Sequence, residues 1–568
     1  MIARAAVALA LLATPAAAAA PPAVAAPNGM VACAQHLACE AGVEVLKKGG
    51  NAVDAAVAVG YALAVTYPAA GNLGGGGFMT IVFADGRKTF VDFREKAPLK
   101  ATRDMYLGPD GKVVDGLSTR GYLAIAVPGT VGGLEYAREK YGKLGRAELI
   151  DPAIKLAENG FALDYGDVFP LALAAPQLSK YPASAAIFLH DGRPFLPGET
   201  LVQKDLARTL TAIRERGAEG FYKGEVGAAI AASVQAGGGL IIAEDLTRIA
   251  PRELPPISCD YRGYTVVSAP PPSSGGVTLC EMLGILEGFD LKGLGFGSAA
   301  ALHDEIETMR HAYVDRNNLL GDPAFVDNPS QKLLSKDYTD KIRAAIDPKR
   351  ATPSAELAPG KPPHEGVETT HYSVIDKDGN AVAVTYSLND WFGAGIVAGD
   401  TGVLLNDTMD DFTAKVGAPN LYGLVQGEKN AIAPGKTPLS SMSPTVVVKD
   451  GKPLLVLGTP GGSRIITVVL ETILNVVDYG MTISEAVDAP RIHNQWLPDV
   501  TNAEAFALSP DTRKILEGMG HHFGPPQPAN HVDAILVGAP KLGGKSVGAN
   551  RYYGANDERR GTGAAVGY

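Results

Sequence analysis

Apolar residues recur at three- and four-residue spacing from about residue 34 to residue 64, and this predicts two consecutive helices. The first runs out at Lys47-Lys48-Gly49-Gly50, basic residues followed by glycines that suit a helix C-terminus. Asn51 is placed to cap the second, whose many small side chains predict close packing on a sheet. Gly74 to Gly77 then form a tight turn into a strand over 78–83. Helical patterns dominate 129–345, with segments at 151–159, 204–216, 277–287 and 299–313. Over 351–365 prolines, Gly360 and polar residues replace any period, which predicts an exposed, flexible linker. Strands follow. The runs 370–375 and 381–386 flank Asp378-Gly379-Asn380 as a hairpin, and 445–449 and 453–458 flank Asp450-Gly451 as another. A helix is expected over 464–476. Sheets covered by helices on their outer faces account for this mixture, an α+β chain.

Composition changes the picture only at the margins. With 568 residues, 46% hydrophobic and 20% charged, the chain has ample material for a large core. A net charge of −10 without a basic stripe argues against nucleic acid as a partner. Arg4, the apolar run 5–13, Pro15 and an alanine tract read as a secretory signal over residues 1–20. The run is too short for a stable membrane span, so a periplasmic or secreted protein is expected. The four cysteines, Cys33, Cys39, Cys259 and Cys280, are free to form disulfides in that compartment. Their pairing is open, and Cys39 also suits a small buried position in a helix.

Several familiar signatures fail. Gly544-Lys-Ser-Val-Gly548 has the form of a serine-hydrolase elbow, but no histidine follows Ser546. As a phosphate loop the same segment would need glycine at position 539, which is Ala539. Gly74 to Gly77 follow a helix and precede a strand, the reverse of a dinucleotide fingerprint. The ten histidines contain no zinc-protease spacing, and His521-His522 is only a pair near a helix end, so no metal is expected.

The junction Glu368-Thr369 carries more. Thr-Thr at the head of a strand is by itself ordinary β-propensity. Here, however, it follows the linker directly, and an N-terminal Thr nucleophile needs both a rigid strand under its hydroxyl and a removable chain before it. Once freed, an α-amino group ordinarily titrates at about 7.7–8.0 and can take the hydroxyl proton.

The segment from Thr369 to Phe412, with TTHYSVIDKDGNAVAVTYSLN, FGAGIVAGDTGVLLN and MDDF, closely resembles the start of the small subunit of γ-glutamyltransferases. PLSSMSPT, GTPGGSRIITVVL and the terminal GANDERRGTGAAVGY continue the resemblance. So do GVEVLKKGGNAVDAAVA, VDFREKAP, VPGTVGG, YRGYTVVSAPPPSSGG and the region around Asp315-Arg316. The resemblance implies a four-layer αββα sandwich of the N-terminal nucleophile hydrolases. It implies a heterodimer cut from one precursor between Glu368 and Thr369, with a large fragment 21–368, ending in a flexible linker over about 351–368, and a small one 369–568. Thr369 then matches the nucleophile, supported by the Ser387 hydroxyl, and Gly461 and Gly462 match the oxyanion hole. Arg94 matches the grip on the substrate α-carboxylate, Ser440 and Ser441 the hydroxyls that hold it, and Asp411 and Asn389 contacts to the amino and carboxylate end. Tyr422 lies in a segment like the bacterial lid loop. Many relatives carry Gln or Glu where this chain has Thr408, which removes one contact to the substrate amino group, and many carry Thr at Ser387. The implied partners are glutathione or related γ-glutamyl donors and amino-acid or peptide acceptors, with no cofactor. Singly, Arg94 could be an ordinary ion pair, Gly461-Gly462 a turn and Ser440-Ser441 a cap. Two rivals stand beside the main reading: a glutaryl or cephalosporin acylase on the same scaffold, and an inactive glutathione-binding protein.

Overall fold

Alternating β-formers over 370–387 make the central hairpin. In the computed structural model, which describes residues 20–357, 369–528, 530–538, 541–542, 545–546, 551–559 and 561–568, Thr370–Ile375 pairs antiparallel with Ala381–Ser387. The Asp376 carboxylate fixes the turn by accepting from the backbone N–H groups of Asp378, Gly379 and Asn380. Every residue of both strands is buried, which requires cover on both faces.

That cover defines the architecture. The hairpin lies inside a seven-stranded sheet ordered Ala564–Gly567, Met30–Cys33, Thr370–Ile375, Ala381–Ser387, Gly76–Val82, Lys88–Asp92, Arg252–Leu254. A second sheet runs Val24–Ala26, Tyr552–Asn556, Asp533–Val537, Lys452–Gly458, Thr445–Lys449, Tyr264–Ser268, Ile257–Tyr261. Met30, Ala32, Ile375 and Ala383 of the first meet Val267, Val446, Val456 and Ile535 of the second in an apolar layer. Helices His36–Lys47 and Ala52–Thr66 cover the outer face of the first sheet, and Gly275–Leu286 and Arg464–Val477 that of the second. The result is the expected helix–sheet–sheet–helix sandwich, with each apolar face buried against another layer. Asn51 caps its helix, accepting from the Val53 and Asp54 N–H groups.

Two local expectations are corrected. Gly76 and Gly77 belong to a strand rather than a turn. A Cβ on Gly76 would fall 2.5 Å from a Glu95 carboxylate oxygen and one on Gly77 2.4 Å from the Thr385 carbonyl, so these glycines permit close approach of neighbouring chain. Residues 351–357 are not a bare linker. Ser354–Leu357 is a helical turn, the Ser354 hydroxyl donates to the Trp496 carbonyl at 2.6 Å and its N–H to Asp499 at 2.8 Å. Pro353 and the polar residues hid this because the anchoring partners lie more than 140 positions away. Residues 358–368, Glu368 among them, lie outside the described residues, as does the signal segment apart from Ala20. The cysteine pairing that the sequence leaves open is Cys33 with Cys39 and Cys259 with Cys280, and Cys39 is buried in its helix. The segment 541–546 contains a short pairing of Lys541–Leu542 with Lys545–Ser546; Gly544 and Gly548 lie outside the described residues. No helix among the described residues is long and apolar enough to cross a membrane.

His371, two residues into the central strand region, is fully buried between Thr385 Oγ1 at 2.8 Å and Ser373 Oγ at 3.0 Å. Burial pushes its pKa down from 6.5 to about 3. Below pH 6.5 the unfolded chain takes up a proton that the folded chain refuses, so this group removes stability as pH falls from 6.5 toward 3, by about 1.4 kcal/mol per pH unit. Urea unfolding of the wild type and His371→Gln across that window is expected to give a shallower pH dependence in the variant; parallel curves would exclude His371 as the source.

Candidate active site

The antiparallel register sets the first pair of the site. Thr370 lies opposite Tyr386, so Thr369, one residue earlier, faces Ser387 at the end of the neighbouring strand. Thr369 is 3% exposed and opens onto a narrow, partly enclosed cavity. Ser387, Asn389, Arg94, Asp411, Tyr422, Ser440, Ser441 and Gly462 line the same cavity. These residues come from positions as far apart as 94 and 462, and the two sheets bring them together.

Beyond Ser387 the chain turns sharply. The Asn389 N–H donates to Ser387 Oγ at 2.7 Å, and Asn389 takes a φ of +86°, a conformation that asparagine tolerates better than most residues. Gly461 and Gly462 connect the strand Lys452–Gly458 to the helix Arg464–Val477, with φ of +122° and +55°. Their N–H groups precede the positive end of a helix, a place suited to developing negative charge. Gly462 lines the cavity, whereas Gly461 lies beside it against Asn530.

Arg94 and Asp411 form one unit. The Arg94 guanidinium is hydrogen-bonded to the Asp411 carboxylate, and a Glu95 oxygen lies 3.5 Å from Arg94 Nη1. Burial alone would lower the Arg94 pKa, but Glu95 and Asp411 outweigh it and the guanidinium is held more firmly protonated than usual. Burial raises the pKa of Asp411, opposed by Arg94 and Arg316. Thr408 does not line the cavity. Its hydroxyl donates to Glu95 Oε1 at 2.8 Å, so it braces the acid behind Arg94.

Tyr422 roofs the cavity. Its hydroxyl donates to the Asn389 carbonyl at 2.7 Å, and a Cβ on Gly462 would fall 2.2 Å from its ring. The roof is tied down where the Leu421 N–H donates to Asp410 and Asn420 accepts from the Tyr422 and Leu424 N–H groups. Ser440 Oγ accepts from the Met442 N–H at 3.1 Å, the turn-cap role, while also facing the cavity. Ser441 Oγ accepts from Arg316 Nη2 at 2.9 Å.

Arg316 is the wall residue that sequence reading left without a role. It sits on the helix Ala299–Leu319, where Glu305, Glu307, Arg310 and Asp315 are buried as well. Charged residues in a helix ordinarily read as a solvated face, so only the family landmark around Asp315-Arg316 marked the place. Leu424, Leu439, Met442 and Ile465 supply the apolar part of the wall.

The arrangement offers a hydroxyl at the head of a strand, a candidate oxyanion site and an anion–cation pair within one cavity. The chain matches the family model described as gamma-glutamyltranspeptidase over residues 38–567. It is similar to the glutathione hydrolase proenzyme of Pseudomonas sp. (strain A14), 67% identical over 542 residues that cover 95% of this chain and 94% of that protein. The glutathione hydrolase proenzyme of Escherichia coli (strain K12) is 51% identical over 95% of this chain and 92% of its own length. Among solved structures, cephalosporin acylase from Bacillus halodurans superposes with a TM-score of 0.83 at 27% identity, covering 98% of this chain and 99% of that one. By the extent of these matches, the chain belongs to the gamma-glutamyltranspeptidase family.

Proposed function

We propose that this protein is a γ-glutamyltransferase that cuts itself before Thr369 and then uses Thr369 to take the γ-glutamyl group from glutathione or a related amide. The observation that carries the reading is Thr369 at the strand head in one cavity with the Arg94–Asp411 pair and Gly462. The names of the relatives, proenzymes among them, support both the activity and a pair of fragments from one precursor. The signal-like residues 1–20 support export to the periplasm or beyond.

The chemistry follows from the geometry. The freed α-amine of Thr369 takes the hydroxyl proton as Oγ attacks the γ-carbonyl carbon. The oxyanion that forms is held by the Gly461 and Gly462 N–H groups. Collapse breaks the C–N bond, the amine leaves with the proton, and a γ-glutamyl ester stays on Thr369. Water returns it as glutamate; an amino acid or peptide amine returns it as a new γ-glutamyl amide. The substrate is a zwitterion at its far end. Its carboxylate replaces Asp411 on Arg94 and its ammonium replaces Arg94 on Asp411, so each buried charge keeps a partner. Ser440 and Ser441 donate to the carboxylate, and Tyr422 limits water entry.

The acylase alternative is weaker. A glutaryl group has no α-ammonium, so it would leave Asp411 unpaired when it displaced the carboxylate from Arg94, a cost to binding. Identity to the solved acylase, 27%, is also far below the 67% to a glutathione hydrolase proenzyme. Intact mass and N-terminal sequencing test the processing: two fragments, the smaller starting at Thr369, are expected. Turnover of γ-glutamyl against glutaryl p-nitroanilide tests the substrate, and preference for glutaryl would overturn the reading. A single uncut chain that binds glutathione without releasing glutamate would instead favour a binding protein.

Gly462→Ala probes the oxyanion site. The added methyl would meet the Tyr422 ring at 2.2 Å, at a φ of +55° that disfavours alanine. The ring and the N–H cannot both hold their places, so kcat is expected to fall by about 10²–10³-fold, the typical loss of one such donor. Steady-state kinetics on the matured variant checks this.

A further inference from the structure

Two arginines and one acid, Arg94, Arg316 and Asp411, face the cavity, and a second acid, Glu95, lies behind Arg94. Arg94 is neutralised by Asp411, with Glu95 behind. Arg316, 1% exposed, has no carboxylate oxygen within 4.0 Å among the described residues. Its four hydrogen bonds all go to neutral groups: Nε to Ser274 Oγ at 3.1 Å, Nη1 to Asn317 Oδ1 at 2.9 Å and Gln426 Oε1 at 3.1 Å, and Nη2 to Ser441 Oγ at 2.9 Å. A guanidinium has five N–H donors, so one on Nη2 remains beyond these four. A buried cation that touches no carboxylate and shares the Asp411 charge with Arg94 is costly unless something supplies more opposite charge. Burial pushes its pKa down to about 10, which still leaves it protonated at neutral pH.

Its neighbours are those of the substrate site. Ser441 Oγ accepts from Arg316, which directs the hydroxyl's own hydrogen away from the guanidinium, and a hydroxyl that accepts from a cation is a stronger donor. Gln426, which accepts from Arg316, also donates to the Asp411 carbonyl at 3.2 Å, and Asn430 joins both, donating to Gln426 Oε1 at 3.1 Å and to the Asp411 carbonyl at 2.6 Å. One network therefore sets Ser441 and the backbone of Asp411.

We propose that Arg316 is a second cation of the donor site: the substrate α-carboxylate is its counter-ion, and its Nη2 holds the Ser441 hydroxyl ready to donate to that carboxylate. This makes Arg316 a positioning residue for one end of the substrate, and it rests on the γ-glutamyl reading above. It gives the substrate carboxylate two guanidinium groups, Arg94 and Arg316, in the wall that also holds Asp411 for the ammonium.

The test uses two donors that differ only in that group, γ-L-glutamyl-p-nitroanilide and 4-aminobutyryl-p-nitroanilide, with the matured enzyme. Wild-type turnover of the first tests the activity itself, independently of Arg316. In Arg316→Gln, KM for the γ-glutamyl donor is expected to rise about 10- to 100-fold, the size of one or two charge-assisted contacts. The expected change in kcat is small, and KM for the aminobutyryl donor should stay near its wild-type value. Arg316→Lys keeps the charge and is expected to recover part of the loss; it also supplies the measurement if the glutamine variant fails to mature. An equal loss on both donors, or a lysine variant no better than glutamine, would mean that Arg316 only rivets its helix to the wall. An unchanged KM would equally overturn the proposal.

Discussion

Thr369→Ala is expected to remain one uncut chain and to turn over no γ-glutamyl amide above background, a loss of about 10⁶-fold by analogy with removal of other covalent nucleophiles. Two losses coincide. The hydroxyl proposed to attack the peptide bond before residue 369 is gone, so no α-amine is released; and without that hydroxyl no ester can form on substrate. Thr369→Ser separates these from a folding defect. It keeps the oxygen at the head of Thr370–Ile375, opposite Ser387, and is expected to mature and work more slowly. Gel analysis after incubation near neutral pH, followed by an anilide assay, reads both. A cut and active alanine variant would remove Thr369 from the mechanism.

Arg94→Leu is expected to raise KM for a γ-glutamyl donor by about 10- to 150-fold, the equivalent of 1.5–3 kcal/mol for a lost charge-assisted contact. It is also expected to lower stability by about 3–5 kcal/mol, because it strands buried acids. Asp411 loses its hydrogen-bonded partner, and Glu95, fully buried, loses the only guanidinium within 4.0 Å among the described residues. The pH profile gives an independent check. Burial raises the Asp411 pKa and Arg94 pulls it back. Removing Arg94 therefore moves Asp411 ionisation to higher pH. On the proposed reading the carboxylate must be ionised to hold the substrate ammonium, so the acid limb of kcat/KM is expected to shift upward as well. An unshifted limb would mean that Asp411 is not the group titrating there. Arg94→Lys keeps the charge but not the fork, and should restore the limb more fully than the KM.

Much of the molecule is legible in its sequence. The hairpin at Thr370–Ile375 and Ala381–Ser387, the helix Lys204–Arg216 and the Asn51 cap all follow from local spacing. Side-chain periods of two and of 3.6 residues are written in neighbouring positions and need no knowledge of the rest of the chain. The long motifs likewise point to Thr369, Gly462 and the Arg94 segment, because the residues of each motif are contiguous. What lay between the motifs was not legible. Thr408 read as the loss of a contact to the substrate amino group, and its bond to Glu95 was not foreseen. Residues 351–357 read as linker and proved to be pinned by Trp496 and Asp499.

Local spacing carried most of the elements, and the long motifs, through the resemblance they bear, carried the sandwich class and the candidate nucleophile. Only the tertiary structure decided that Arg94 is joined to Asp411, 317 positions away, and that Arg316 turns into the same cavity to hold Ser441, 125 positions away. The reason is physical. A helix period places Arg316 on a face but does not say what covers that face. A buried charge is tolerable only when distant parts of the chain bring acceptors to it, and those parts meet only when the two sheets close on each other.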